Sequence, residues 1–264
     1  MNAEADFDVA RFASLHTARG LTLGAPFHHA VVTASTNDDA LTAARSGAPH
    51  GATFVADAQS AGRGRRGRQW FAAPRQSLLC SLVLRSRLPL ERVSLLALST
   101  GLAVRAAVAG MLSNPAQRAL VKWPNDVWLD GRKVAGVLCE SHVQGHELSA
   151  VVVGFGVNVS VRDFPAELAS QATSLCLASV EVTREELLIE ILAELERQIE
   201  LLETAGEAAL QAELGRYDAL FGRRVRVEGV EGVAAGIDHS GGLLVRVSQV
   251  EMVTLSGGSV ELVD

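Results

Sequence analysis

An α+β fold built on a mixed sheet is predicted by three features of this 264-residue chain. Strand-like apolar runs and helix-like amphipathic runs alternate irregularly, without the strict order of a βαβ winding. A continuous run of valines at 151–153 reads as a buried central strand. Beyond about residue 220 the pattern changes to short β segments separated by turns. The chain therefore divides into a main domain over 1–218 and a small C-terminal β-barrel over 219–264.

The elements follow in order. Residues 31–34 read as a strand. Ser35, Thr36 and Asn37 then supply a hydroxyl or amide cap, with Asp38 and Asp39 in the first turn facing the helix dipole, and the helix ends at Gly47. Residues 53–58 and 78–84 read as strands with a loop between them. Residues 92–112 carry Ala, Leu and Val at helical spacing, with small residues suited to close packing on a sheet. Strands follow at 120–123, 134–140 and 148–157. Residues 183–202 open with the capping box Thr183-x-x-Glu186 and place Leu188, Leu192, Leu195 and Ile199 on one stripe, so their acids are expected on a solvated face. In the C-terminal part, strands are expected at 224–228, 233–237 and 243–247, with 238–242 as a hairpin turn.

Composition excludes several classes. Hydrophobic residues make up 48% of the chain, but no uninterrupted apolar run approaches the ~20 residues of a membrane span. Glu4, Asp6 and Asp8 stand where a secretory signal would be basic and then apolar, so a cytoplasmic protein is expected. Cys80, Cys139 and Cys176 lack any C-x-x-C spacing and read as small core residues rather than a disulfide framework or zinc site. A net charge of −6 argues against a general nucleic-acid binder. Of 24 basic residues, 22 are Arg. The two lysines, Lys122 and Lys133, lie close together, which points to positions where a compact ammonium is wanted.

Three constellations can carry chemistry. Gly62-Arg63-Gly64-Arg65-Arg66-Gly67 formally matches a dinucleotide fingerprint, but Trp70-Phe71-Ala72-Ala73-Pro74 is a poor helix start, and no acid occurs at 82–88 to meet a ribose. Four arginines on a glycine-rich frame describe instead a mobile cationic flap, with Trp70 beside it to cover a flat ligand. The plainer reading is a solvated basic loop. In Lys122-Trp123-Pro124-Asn125-Asp126, Pro124 ends a strand and leaves Asn125 and Asp126 at its terminus, with Lys133 arriving across a turn. Such a set suits a magnesium ion and a phosphate, or is an ordinary hairpin with exposed charges. Gly154-Phe155-Gly156-Val157-Asn158 ends the valine strand with glycines that admit a ligand to the backbone and an amide that can read a base edge. A bulged strand end is the alternative. The P-loop, G-x-S-x-G and H-E-x-x-H signatures are missing.

Taken together and in order, these segments resemble the biotin protein ligases. The match comprises Ser35-Thr36-Asn37, then Gln59 with Gly62 through Trp70, then Lys122 through Asp126, Lys133-Val134-Ala135-Gly136, and Gly154 through Asn158. It extends from about residue 30 to near the C-terminus. The resemblance implies a sheet like that of class II aminoacyl-tRNA synthetases followed by an SH3-like barrel. It implies two steps: biotin and ATP form biotinoyl-5′-AMP, and a lysine of a biotin carboxyl carrier domain then takes the biotinoyl group. By position, Ser35, Thr36, Asn37, Gln59, Gly62, Gly64 and the Arg63 backbone would hold the biotin head. Gly136 would line the pocket for its chain, and Arg65 and Lys133 would meet carboxylate and phosphate as the catalytic pair. Arg65, Arg66, Trp70, Lys122, Asn125 and Asn158 would lie on the nucleotide side, with Asp126 at Mg2+.

Only 34 residues precede Ser35, too few for the winged-helix domain of the repressor members, so no operator DNA binding is expected, and no membrane partner. The oligomeric state stays open between monomer and homodimer. Two other readings are a lipoate or octanoate ligase on the same fold and a non-catalytic nucleic-acid-binding module using the Arg-rich loop.

Overall fold

The valine run forms the middle strand of a seven-stranded sheet in a computed structural model that describes residues 5–85, 93–144, 147–204 and 206–263. Glu4 and Arg92, on which parts of the N-terminal and helix expectations rest, lie outside the described residues. The elements are α1 (Val9–Arg19), β1 (Phe27–Thr33), α2 (Thr36–Arg45), β2 (Thr53–Gln59), β3 (Ser77–Leu84), α3 (Val93–Gly110), β4 (Ala119–Lys122), β5 (Asp126–Leu129), β6 (Arg132–Gln144), β7 (Glu147–Asn158), α4 (Arg184–Thr204), α5 (Gly206–Tyr217), β8 (Arg224–Val227), β9 (Val230–Ile237), β10 (Leu243–Arg246), β11 (Met252–Leu255) and β12 (Val260–Leu262).

The large sheet has the order β1-β2-β3-β7-β6-β5-β4. Only β1 and β2 pair in parallel; the other pairs are antiparallel. This is the mixed sheet expected from the irregular alternation of elements. Its two faces are chemically different. Leu78, Leu82, Val151, Val153, Phe155 and Val157 point into the main core with α3 and α4, whereas Val83, Ala150 and Val152 meet Ala40 and Ala44 of α2 in a smaller cluster. Alternation along β3 and β7 produces both surfaces. The α2 face is the thinner one and carries the site.

α3 has the length and composition of a membrane span, yet most of it is buried between the sheet and α4. Cys80 and Cys139 are apolar filler, and burial pushes the Cys139 thiol up to about 12.

One expectation changes in part. The acids of α4 are only partly a solvated face: Glu200 and Glu203 are exposed, but others meet α1 and the loop that follows it. Glu185 accepts from the Asp8 amide at 2.7 Å, Arg11 and Arg19 pair with Glu186 and Glu190, and Glu196 accepts from the Thr22 and Leu23 amides. The capping box forms as expected, with the Thr183 amide donating to Glu186 Oε2 at 3.0 Å. The C-terminal strands form a five-stranded antiparallel sheet, order β11-β10-β9-β8-β12, consistent with the small barrel expected there although β11 and β12 do not pair to close it. Its 238–242 turn is a hairpin pinned by the Asp238 carboxylate, which accepts from the Ser240 and Gly242 amides.

Candidate active site

The site is built on the α2 face from a polar chain at one end, a glycine floor in the middle and a cationic cluster at the other. Ser35 stands at the N-cap of α2, but its side chain makes no capping hydrogen bond, which corrects the expectation of a hydroxyl cap. Ser35, Thr36 and Asn37 are all buried. Gln59, at the end of β2, accepts from Thr36 N at 2.7 Å and Thr36 Oγ1 at 3.0 Å. Ser81 Oγ on β3 lies 2.8 Å from Thr36 Oγ1 and donates to Asn37 Oδ1 at 2.6 Å. Asn37 Nδ2 donates to Glu140 Oε2 at 2.7 Å.

Gly154, Gly156 and Gly136 make the floor, because Gly136 and Gly156 are direct partners across β6 and β7. Each lies under a side chain that a methyl group would displace. A Cβ on Gly154 would stand 1.9 Å from Asn37 Oδ1, and one on Gly156 would stand 2.6 Å from the Trp70 indole. On Gly136 it would approach Trp70 and Lys133 to 3.0–3.1 Å. Gly136 therefore sits beneath the indole and beside Lys133. Trp70 lies on the strand backbone with its Nε1–H buried and unpaired.

The Arg-rich segment is a small hairpin. Gly64 N donates to Arg68 O at 2.7 Å and Trp70 N to Gly62 O at 3.0 Å, around a single turn at Arg65–Gly67. Arg66 takes φ 60° there and Gly67 φ 73°, a left-handed pair that explains the glycine. The four arginines diverge. Arg63 pairs with Asp38 at 2.5 Å and Glu140 at 3.0 Å. Arg66 pairs with Glu228, and Arg68 donates to Ser259 Oγ at 3.3 Å, both on the C-terminal sheet. Arg66 thus reaches the turn between β8 and β9. Arg65 lies within the field of the Asp126 carboxylate, and burial lowers its pKa. It lines a cavity of about 210 Å³ with Pro124, Asn125, Cys139, Gly241 and Ser256.

Asp126 Oδ1 sits 2.6 Å from Lys133 Nζ as an ion pair. Lys133 Nζ is also 5.2 Å from the Trp70 ring centre. Lys122, opposite Asp126 in register, donates to Val260 O at 3.1 Å, which makes it a strut to the C-terminal sheet, and burial lowers its pKa. Among the described residues, no group of three His, Cys, Asp or Glu side chains gathers for a metal. Asn125 Nδ2 donates to Val137 O at 2.7 Å, and Asn158 Nδ2 to Thr173 O at 3.0 Å. Asn158 Oδ1 is buried without a partner and lies on the same strand face as Gly156. Ser81, Glu140 and Glu228 escaped the sequence reading. The available signal for the first two was a polar residue inside an otherwise apolar strand.

The arrangement offers hydrogen-bond donors and acceptors at one end, backbone-close space in the middle, and more positive than negative charge at the other. That pattern suits an elongated ligand with a polar head and an anionic end. Residues 30–158 match the biotin/lipoate A/B protein ligase family, and residues 220–263 match the biotin protein ligase C-terminal domain. A biotin--[acetyl-CoA-carboxylase] ligase of Mycobacterium tuberculosis is 36% identical over 87% of this chain and 86% of its own length. A bifunctional ligase/repressor of Bacillus spizizenii is 34% identical over 83% of this chain and 68% of its own. The structure of a biotin protein ligase from Aquifex aeolicus in complex with biotin and ATP superposes with a TM-score of 0.74 at 26% identity, covering 89% of this chain and 97% of that one. With the glycine floor and all of both sheets except the start of β1 falling inside the matched segments, the chain belongs to the biotin protein ligase family.

Proposed function

We propose that this protein joins biotin to ATP and passes the biotinoyl group to a lysine of a biotin carboxyl carrier domain, as an enzyme of the cytoplasm. In the first step a biotin carboxylate oxygen attacks the α-phosphorus, the bond to the β-phosphate bridging oxygen breaks, and pyrophosphate leaves. In the second the carrier amine attacks the acyl carbon, AMP leaves and an amide forms. The observation that carries the reading is the cationic cluster of Lys133, Arg65 and Lys122 around the single carboxylate of Asp126. A carboxylate and a phosphate brought to about 4 Å repel by about 4 kcal/mol at an effective dielectric of about 20, and fixed cations offset this where charge builds up.

The polar chain of Ser35, Thr36, Asn37 and Gln59, with Gly62, Gly64 and the Arg63 backbone at the mouth, takes the ureido head. Trp70 and the glycine floor hold the flat parts of the adenylate away from water. Asn158 Oδ1, a buried acceptor with no partner, suits the exocyclic amine of adenine, with Asn125 near the phosphates. Magnesium enters with the nucleotide. One carboxylate, Asp126, agrees with the usual way this ion is held, mostly by phosphates and water. Biotin is preferred over lipoate because the C-terminal match is to the biotin enzymes. The domain division at 218/219 agrees with the start of that match.

The test is biotin-dependent exchange of labelled pyrophosphate into ATP, with lipoate in parallel. Exchange with biotin alone is expected, and Lys133→Ala should lower it roughly 10³-fold, the equivalent of about 4 kcal/mol. No exchange by folded wild-type protein overturns the reading; full exchange in the variant overturns the role of Lys133.

A further inference from the structure

Glu140 on β6 belongs to none of the motifs, yet it is the point where the polar chain meets the Arg-rich hairpin. Its Oε2 accepts from Asn37 Nδ2 at 2.7 Å and from Arg63 Nη2 at 3.0 Å. Behind Asn37 the chain continues inward through Ser81, which is fully buried, to Thr36 and Gln59.

Counting protons along the chain gives it a direction. A carboxylate is acceptor-only, so the amide of Asn37 must present its NH2 to Glu140 and its oxygen to Ser81. Ser81 has one hydroxyl proton, and Asn37 Oδ1 takes it at 2.6 Å. Toward Thr36, Ser81 can then only accept, and Gln59 Oε1 also only accepts. The single proton of Thr36 goes to one of these two, leaving its lone pairs for a ligand. With its oxygen held by Thr36, Gln59 turns its NH2 toward the hairpin, where Nε2 would be 2.9 Å from a Cβ on Gly62. The pocket thus shows an acceptor at Thr36 and a donor at Gln59, the complement of a cyclic urea with N–H and C=O groups.

We propose that Glu140 is a positioning residue that sets the hydrogen-bond polarity of the head pocket through Asn37 and joins that pocket to the hairpin through Arg63. This rests on the biotin reading above. Replacing the carboxylate by an amide of the same shape weakens the constraint, because an amide at this position can face Asn37 in either sense and only the long hydrogen bond from Asn37 Nδ2 to Leu138 O, at 3.4 Å, still favours the original one.

Calorimetric titration with biotin tests the assignment. Glu140→Gln should weaken binding about tenfold. Combining it with Asn37→Asp should restore affinity to within about threefold of wild type, because the carboxylate introduced on α2 accepts from both the amide introduced on β6 and Ser81, and so engages the Ser81 proton again. Loss of packing or charge alone would not be repaired in this way. Ser81→Ala, a smaller change, interrupts the same relay and should also cost about tenfold, which keeps the test decisive if Glu140→Gln fails to fold. A wild-type protein that binds no biotin overturns the functional reading and the proposal with it. A wild type that binds, together with unchanged affinity in Glu140→Gln or Ser81→Ala, overturns the proposal alone, as does a double variant no tighter than the single.

Discussion

At the scale of single residues, the glycines of the floor are the most sharply constrained positions. None of the three has a positive φ, so conformational freedom does not explain them; close approach does. A methyl group on Gly154 would overlap Asn37 Oδ1 at 1.9 Å and one on Gly156 would overlap the indole at 2.6 Å, whereas on Gly136 the contacts are only tight, at 3.0–3.1 Å. The order of harm should therefore be Gly154→Ala and Gly156→Ala first, each weakening ligand binding about 100-fold, with Gly136→Ala nearer tenfold. Gly156→Ala should in addition shift tryptophan emission, because the buried Trp70 ring must leave the strand. Equal effects at the three glycines, or unchanged emission, would contradict the packing described. The motif glycines, Lys133 and Trp70 were legible because their spacing is local. Ser81 and Glu140 were not, since their part depends on three strands and a helix bringing residues from positions 36 to 140 into one chain. The pairing of Arg66 was hidden for a related reason: its partner Glu228 is 162 residues away.

At the scale of elements, α4 shows what periodicity reveals and what it hides. Its apolar stripe and capping box were readable from spacing. The destination of its acids was not, because the residues that meet them, from Asp8 to Leu23, lie more than 170 residues away in the chain. Glu186 serves both roles, accepting from the Thr183 amide at 3.0 Å and pairing with Arg11 at 2.6 Å. The hydrogen bond from the Thr183 amide, with help from Arg11, holds its carboxyl below the usual range. A carboxylate depressed in the folded state stabilises the fold above its unfolded pKa of about 4.3, and that contribution disappears as pH falls through the lower folded value. Glu186→Ala should cost about 1 kcal/mol at pH 7, the usual worth of a cap, or about 2–4 °C in melting temperature. The difference from wild type should shrink as the pH is lowered from 5 toward 3. Thermal unfolding across that range checks it, and a deficit that stays constant to pH 3 would remove Glu186 from the acid response. Among the short strands, β5, β11 and β12 were not read from the sequence, although β4, β8 and β10, of four residues each, were.

At the scale of the whole molecule, the motif Lys122-Trp123-Pro124-Asn125-Asp126 divides its labour. Its last two residues face the site, while its first two fasten the large sheet to the C-terminal one. Trp123 is buried, and its Nε1–H donates to Gly241 O at 2.9 Å; Lys122 Nζ reaches Val260 O, and Ser94 Oγ reaches Ser240 O at 2.7 Å. The apolar core is continuous across this seam, running from Leu98 and Val121 to Val225, Val245 and Val260. Arg66–Glu228 closes the seam from the hairpin side, and as an exposed, solvent-screened pair it contributes little. The seam is thus held by buried contacts, and the two sheets should melt as one unit despite their separate topologies. Trp123→Phe tests this with little change of shape: it keeps an aromatic ring but leaves Gly241 O without its donor inside the core, at a cost of about 1–3 kcal/mol. Differential scanning calorimetry should show one transition in both proteins, moved to lower temperature in the variant. Because the same turn carries Asn125 and Asp126, the biotin-dependent exchange rate should fall as well. A second calorimetric transition in the wild type would mean that the C-terminal sheet folds on its own, and the continuous core would then not couple the two sheets energetically.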